Sequence, residues 1–284
     1  MNPEPTVAKA DEGREAILAM MKRKGLHHIP LVDEARCVVG LETLDELIQS
    51  RKKENVVVLM AGGLGSRLRP LTDGIPKPML RVGSKPLLET ILENFIEHGF
   101  NRFYISVNYM AEVVKSYFGD GSRWGVDIRY LQEDQRLGTA GALSLLPEKP
   151  AAPFFVMNGD LLTKVNFSQL LDFHTSHRAQ ATMCVREYDF QVPYGVVKID
   201  DHRITGIDEK PVQRFFVNAG IYVLEPKSLE LISHNTYFDM PTLFEKLIEM
   251  KNETSAFPIR EYWLDIGHLA DYDRANVEFR EVFT

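Results

Sequence analysis

Leu59-Met60-Ala61-Gly62-Gly63-Leu64-Gly65-Ser66-Arg67-Leu68-Arg69-Pro70-Leu71-Thr72, with Pro76-Lys77-Pro78-Met79-Leu80 close behind, decides how the rest of the chain is read. The run Val56–Met60 leads into this stretch. Its unbroken apolar, β-branched character predicts a central parallel strand covered on both faces. A glycine-rich loop at the carboxyl end of such a strand lies where open α/β sheets bind their ligands. Glycines there let backbone N–H groups close around phosphate oxygens, and Arg67, Arg69 and Lys77 add positive charge suited to a polyphosphate. Two alternatives fail. No GxxxxGK followed by Ser or Thr occurs, and Gly63-x-Gly65 is followed by Leu68 where a dinucleotide fingerprint needs its third glycine. Alone, the double glycine reads as a turn; the arginines and the Pro-Lys-Pro behind it favour phosphate binding.

Outward from this loop, strand and helix alternate. Leu87, Leu88, Ile91, Leu92, Phe95 and Ile96 share one helical face over Leu87–His98, with Ser84 as the expected cap and Gly99 as the stop. Strands are predicted at Arg102–Val107, Val126–Leu131 and Pro153–Met157, with helical stretches near Ala111–Phe118 and Thr139–Leu145. This order predicts an α/β fold with a doubly wound, mostly parallel, Rossmann-like sheet. Further strands at Ala181–Arg186, Gly195–Ile199, Ile204–Asp208 and Phe215–Leu224 predict a smaller antiparallel layer able to cover a substrate. Before residue 52 the pattern differs. Asp11 is read as the cap of a helix ending near Gly25, followed by strands His28–Val32 and Cys37–Leu41. Thr43-Leu44-Asp45-Glu46 is read as a capping box opening a helix through Gln49. The expected boundaries are 1–52 and 53–284, joined by a charged linker, Ser50–Glu54.

The chain has 284 residues, 44% hydrophobic and 26% charged, which excludes disorder, collagen-like repeats and coiled coil as its main architecture. A net charge of −7 argues against nucleic acid as a partner. No basic region followed by an apolar stretch opens the chain, and no apolar run reaches the ~18–20 residues of a membrane span. Cys37 and Cys184 form no disulfide framework and suit a reducing compartment. The expectation is a soluble, cytoplasmic homo-oligomer with neither membrane nor nucleic acid as partner.

Two more motifs join the loop. Asn158-Gly159-Asp160 follows an apolar strand, which places Asp160 at a strand end facing the crevice, and Trp263-Leu264-Asp265-Ile266-Gly267 supplies a distant second aspartate. With these, Asn55–Asn276 resembles the sugar-1-phosphate nucleotidyltransferases, which join an NTP to a sugar 1-phosphate and release pyrophosphate. The resemblance assigns Met60, Ala61, Gly62, Gly63, Gly65 and Ser66 to the nucleotide. It sets Arg67 near the leaving pyrophosphate, Lys77 near the reacting phosphates, and Asp160 and Asp265 as Mg²⁺ ligands. One or two carboxylates plus substrate phosphates hold this ion in the usual way. A phosphate monoester with a second pKa near ~6 is already mostly dianionic at neutral pH, so no general base is expected.

The resemblance also places the sugar. Tyr194-Gly195, Glu209-Lys210-Pro211 and Asn218-Ala219-Gly220 match the family's sugar-site strings. They imply Lys210 on the sugar phosphate, Glu209 and Asn218 on hydroxyls, and the Gly195 backbone along the ring. Tyr194 stays open between sugar contact and hairpin turn. Gln132–Gly141, including Glu133 and Gly138, corresponds to the base-reading loop. An ionised carboxylate can accept both Watson–Crick donors of guanine, so Glu133 facing the base favours GTP, with mannose or glucosamine 1-phosphate as acceptor. Gln132 facing inward keeps UTP and dTTP open. A catalytically silent relative that only binds nucleotide sugar is the other alternative, although Arg67, Lys77, Asp160, Lys210 and Asp265 are all present.

Residues 3–50 resemble a single cystathionine-β-synthase (CBS) motif, on Met20, His27-His28-Ile29-Pro30-Leu31-Val32 and Val39-Gly40-Leu41-x-Thr43. Such motifs work in pairs and often bind adenine nucleotides. The missing half is expected either upstream or on a second chain. Glu46 stands where the motif has Asp for ribose, which leaves packing or dimerisation beside a nucleotide effector. No long acyltransferase or β-helix domain is expected after Thr284. His174-x-x-His177 is read as a surface helix, and Trp124 and Trp263 as packing anchors.

Overall fold

The computed structural model describes residues 5–44 and 52–283. The chain divides into two compact units, Met1–Lys53 and Glu54–Thr284. In the first, β1 (Ala8–Lys9) runs parallel to β2 (His28–Val32), and β3 (Val38–Thr43) pairs antiparallel with β2. Between β1 and β2, α1 (Arg14–Lys24) packs Ile17 and Met21 against Ala8 and Ile29. Its N-cap is Gly13 rather than Asp11, because the chain is still turning there, with Glu12 N–H donating to Lys9 O (3.0 Å). Gly25 ends α1 in the left-handed region at φ 62°. The helix expected from Thr43 through Gln49 runs into residues 45–51, outside the described residues.

The second unit is built on a seven-stranded sheet. Its strands are β4 (Lys53–Met60), β7 (Phe100–Val107), β8 (Asp127–Gln132), β9 (Phe154–Asn158), β11 (Ala181–Gln191), β14 (Val212–Leu224) and β15 (Thr254–Ile259), in the order β15-β11-β14-β9-β4-β7-β8. β4 and β9 pair in parallel, as do β7 with β8 and β11 with β15, while β14 is antiparallel to both neighbours. The sheet is therefore mixed around β14. Three two-stranded pairs flank it: β5 (Arg81–Val82) with β6 (Lys85–Pro86), β10 (Leu161–Thr163) with β16 (Trp263–Asp265), and β12 (Val196–Asp200) with β13 (Arg203–Asp208).

Strand alternation explains why both faces are covered. Val57 and Leu59 of β4 join one core with α2 (Leu87–Glu97), α3 (Ala111–Phe118), α4 (Phe167–His177) and α6 (Leu269–Val282). Val56 and Val58 join the other with α5 (Met240–Glu249). α2 starts after Pro86 rather than at a Ser84 cap, because Lys85 and Pro86 are spent pairing with β5. The helix expected over Thr139–Leu145 is a short 3₁₀ turn, Gly141–Leu145. The Ala140 and Gly141 amides instead donate to Phe238 O, at 2.9 Å each. Among the described residues no helix is long and apolar enough to cross a membrane.

His174 is on α4, but it is fully buried, not at the surface. Its Nδ1 meets Thr182 Oγ1 at 2.8 Å, and Glu225 lies 3.6 Å from Nε2. Burial drives its pKa from 6.5 to about 4, so the fold holds the neutral ring. Stability from this group is complete above pH 6.5 and falls as pH drops towards 4, by roughly 1 kcal/mol per pH unit. Urea titrations between pH 7 and 4.5 should show this slope in the wild type and a shallower one in His174→Gln. Parallel pH profiles for the two proteins would refute it.

Candidate active site

The glycine loop leaves β4 at Met60, and Asp160 leaves the neighbouring β9 two residues after its end. The two meet because Gly159 N–H donates to Met60 O at 2.9 Å. Lys77, in a 3₁₀ turn after the loop, points back into the crevice, with Nζ 2.5 Å from Asp160 Oδ2. Asp160 Oδ1 is buried without a hydrogen-bond partner. Asp265 arrives through β16, paired opposite Leu161 of β10, and Ile266 N–H donates to Asp160 O at 3.0 Å. Arg67 comes from the loop side: a Cβ placed on Gly267 would sit 4.0 Å from Arg67 Nη1 and 3.9 Å from Asp265 Oδ1. Arg67, Lys77, Asp160 and Asp265 are thus brought to one spot.

The electrostatics of that spot are shared. Asp265 keeps contact with solvent, yet surrounding protein pushes its carboxyl above the ordinary aspartate value, and the Asp160 charge pushes the same way. Lys77 and Arg67 oppose both. A divalent ion would relieve this carboxylate repulsion and use the orphaned Asp160 oxygen. Among the described residues no three His, Cys, Asp or Glu side chains converge, so such an ion would complete its shell with phosphate oxygens and water, as Mg²⁺ does.

Beside this cluster lies a cavity of about 360 Å³, bordered by Met60, Gly62 and Gly63 and by Glu133 and Gly138. A second lobe of about 220 Å³ runs past Gly65, Ser66 and Arg67. Ala61 is buried behind the loop. Glu133, not Gln132, faces the cavity; Gln132 is exposed at the end of β8. Glu133 presses on Gly62 so closely that a Cβ there would be 2.5 Å from Oε1. Both of its carboxylate oxygens already accept from protein, Oε1 from the Ser106 hydroxyl and Oε2 from Leu137 N–H at 3.2 Å. Burial raises its pKa, and these two donors oppose the rise.

Asn158 and Arg136, which lie in quoted motifs but were given no role of their own, and Tyr237 and Asp239, which no motif flags, all border the cavity. Arg136 borders both lobes. The segment 234–239 is laced along the 135–144 loop: Gln135 Nε2 donates to Asn235 O (2.9 Å), Phe238 N–H to Leu137 O (2.9 Å), and Thr139 N–H to Asp239 Oδ1 (2.9 Å). Gly138, at φ 77°, leaves no room for a side chain, since a Cβ would meet Asp239 Oδ1 at 2.6 Å and Phe238 O at 2.8 Å. Burial alone would raise Asp239, but the Tyr237 hydroxyl and the Thr139 N–H and hydroxyl hold it below the usual aspartate value.

The expected sugar residues do not border this cavity. Gly195 and Glu209 face one another at the base of the β12–β13 hairpin, a Cβ on Gly195 reaching Glu209 Oε2 at 3.0 Å. Tyr194 is 75% exposed, and Lys210 follows Glu209 with φ 45°. Asn218, on β14, accepts from Gly220 N–H and the Tyr222 hydroxyl at 2.9 Å each. Gly220 in turn abuts Asn158, whose Oδ1 is buried and unpartnered. Trp263 is a packing anchor, its Nε1 donating to Ala219 O at 2.9 Å.

Fold and site together define an α/β protein with a glycine-loop crevice, lined by Lys77, Arg136 and Asp160, at the carboxyl ends of β4 and β9. The chain belongs to the nucleotidyl transferase family, whose model matches residues 56–281. It is 35% identical over 224 residues to a mannose-1-phosphate guanyltransferase of Candida albicans, covering 76% of this chain and 62% of that one. Over 240 residues it is 34% identical to a UTP–glucose-1-phosphate uridylyltransferase of Synechocystis, covering 77% and 61%. The chain thus spans about three fifths of the length of these curated relatives. Among solved structures, HddC from Yersinia pseudotuberculosis complexed with GMP-PN superposes with a TM-score of 0.62 at 28% identity, covering 79% of this chain and 99% of that one.

Proposed function

We propose that residues 53–284 form a Mg²⁺-dependent sugar-1-phosphate guanylyltransferase, joining GTP to a mannose- or glucosamine-type 1-phosphate and releasing pyrophosphate. One observation carries the reading: Lys77, Arg67, Asp160 and Asp265 converge beside the glycine loop, with one Asp160 oxygen left unpartnered. In the reaction the Gly62–Ser66 loop holds the triphosphate through backbone N–H groups. Lys77 neutralises charge gathering at the α-phosphate, and Arg67 steadies the departing pyrophosphate. Asp160 and Asp265 would hold Mg²⁺, which when bound screens the phosphate charges. Lys210 would take the sugar phosphate and orient its oxygen for in-line attack, with Glu209, Asn218 and the Gly195 backbone placing the hydroxyls and Tyr194 at the rim. The guanylyl assignment is supported by the Candida relative and by Glu133 facing the cavity.

A uridylyl reading is favoured by one observation, that both Glu133 oxygens are already engaged. Pyrophosphate release with GTP, UTP, dTTP, CTP and ATP, each with mannose, glucosamine or glucose 1-phosphate, separates the two. The expected result is a kcat/KM at least tenfold higher with GTP. A preference for UTP or dTTP would discard the guanylyl assignment, and folded protein inactive with every pair would point to a silent relative.

Residues 1–52 we read as the CBS motif, a packing or effector module. The family match begins after it. The two free cysteines, Cys37 and Cys184, support a reducing, cytoplasmic setting. A homo-oligomer remains part of this reading.

A further inference from the structure

We propose that Tyr237 closes the base end of the crevice and offers its ring as the face on which the nucleobase stacks. This inference rests on the nucleotidyltransferase reading above and adds a residue that no loop motif supplies. Three observations carry it. Tyr237 borders the cavity and is 61% exposed, so its ring is open to a ligand there. Its hydroxyl is tied to Asp239 Oδ2 at 2.5 Å, and Asp239 is itself fixed by Thr139 N–H and Oγ1. The ring is therefore held at its far end while its faces stay open. The next residue, Phe238, turns the opposite way. It packs against the α5 core with Lys246 Nζ 4.7 Å from its ring centroid, which fixes Tyr237 on the crevice side.

The rest of the cavity shows why a stacking face is needed. Glu133 on its wall already accepts one bond at each oxygen, from Ser106 and Leu137, so part of its acceptor capacity is used before a base arrives. Aromatic stacking is sequence-tolerant and substantial, and it strengthens with the area of the base. A purine therefore gains more from Tyr237 than a pyrimidine does. Arg136 borders both the cavity that Tyr237 lines and the lobe beside the glycine loop. A base on Tyr237 would thus lead its phosphates towards Arg136 and the glycine loop.

The test is equilibrium binding of GTP and UTP by calorimetry, together with steady-state kinetics, on wild type, Tyr237→Ala and Tyr237→Phe. In Tyr237→Ala the GTP dissociation constant and KM should rise about tenfold or more, the UTP constants less, and kcat should stay within about threefold. Tyr237→Phe should keep most of the affinity, because the ring remains. A merely structural role would instead lower kcat and melting temperature without separating purine from pyrimidine. GTP binding unchanged in Tyr237→Ala would overturn the proposal while leaving the transferase reading intact. Tight GTP binding without any product would sink the transferase reading and still test Tyr237, and absence of nucleotide binding by wild type would overturn both.

Discussion

Asp160→Asn should lower kcat/KM for pyrophosphate release about 10³-fold while leaving the melting temperature within a few degrees of wild type. The substitution is nearly isosteric. It keeps an oxygen for Lys77, so the 2.5 Å contact can relax rather than vanish. It removes the negative charge beside Asp265 and the buried, unpartnered oxygen that would ligate Mg²⁺. Loss of one preorganised electrostatic contact to a reacting centre costs about 10²–10³ in rate, and here the cation site and the Lys77 partner are altered together. Raising Mg²⁺ should recover part of the activity if the loss lies in metal affinity. A variant within tenfold of wild type would remove Asp160 from the chemistry. Asp265→Asn should show a smaller loss, since Asp265 keeps contact with solvent.

The second large effect concerns stability. Phe95→Ala should destabilise the protein by about 4 kcal/mol, or roughly 10 °C in melting temperature for a domain this size. Phe95 is fully buried and stacked on Phe167, with ring centroids 3.7 Å apart at an interplanar angle of 9°. Phe100 and Phe155 meet it edge-on, each at 5.5 Å. Deleting the ring leaves a cavity whose walls come from α2, α4, β7 and β9, elements too well anchored to collapse together. Calorimetric melting of the variant checks it, and a shift below about 3 °C would mean that this cluster repacks. Because Phe167 follows β10 and Phe155 precedes Asp160, the same cluster supports the floor beneath the site.

The strands that lead to the site were legible because each is an unbroken apolar run, the mark of a strand covered on both faces. Val56–Met60 and Phe154–Met157 are continuous apolar runs ending in glycine-containing motifs, so the loop and Asp160 could be placed before any tertiary contact was known. Asp265 was reachable only through its motif, since β16 is three residues long and carries no strand signal of its own. The outer ends of β11 (187–191) and β14 (212–214) were missed for a different reason. Tyr188–Gln191 pairs with Val212–Phe215 as an exposed ribbon, where no core face imposes alternation on the sequence. Asp239 was missed because its partners lie about a hundred residues away, at Gly138 and Thr139, and Tyr237 because its hydroxyl is tied to Asp239 rather than to any motif. The only local hint was an aspartate ahead of Met240-Pro241 at the start of α5. Glu133 borders the cavity, and its engagement by Ser106 and Leu137 is a tertiary fact that no spacing could disclose.

In the proposed reaction a sugar phosphate attacks the α-phosphorus of a nucleoside triphosphate bound by the Gly62–Ser66 loop. The most direct measurement follows GTP labelled in either the α- or the γ-phosphate, with mannose 1-phosphate and Mg²⁺. The α-label should appear in a nucleotide sugar and the γ-label in pyrophosphate. Label from the γ-position in the sugar or in free phosphate, or no transfer of α-label to any sugar 1-phosphate, would contradict it.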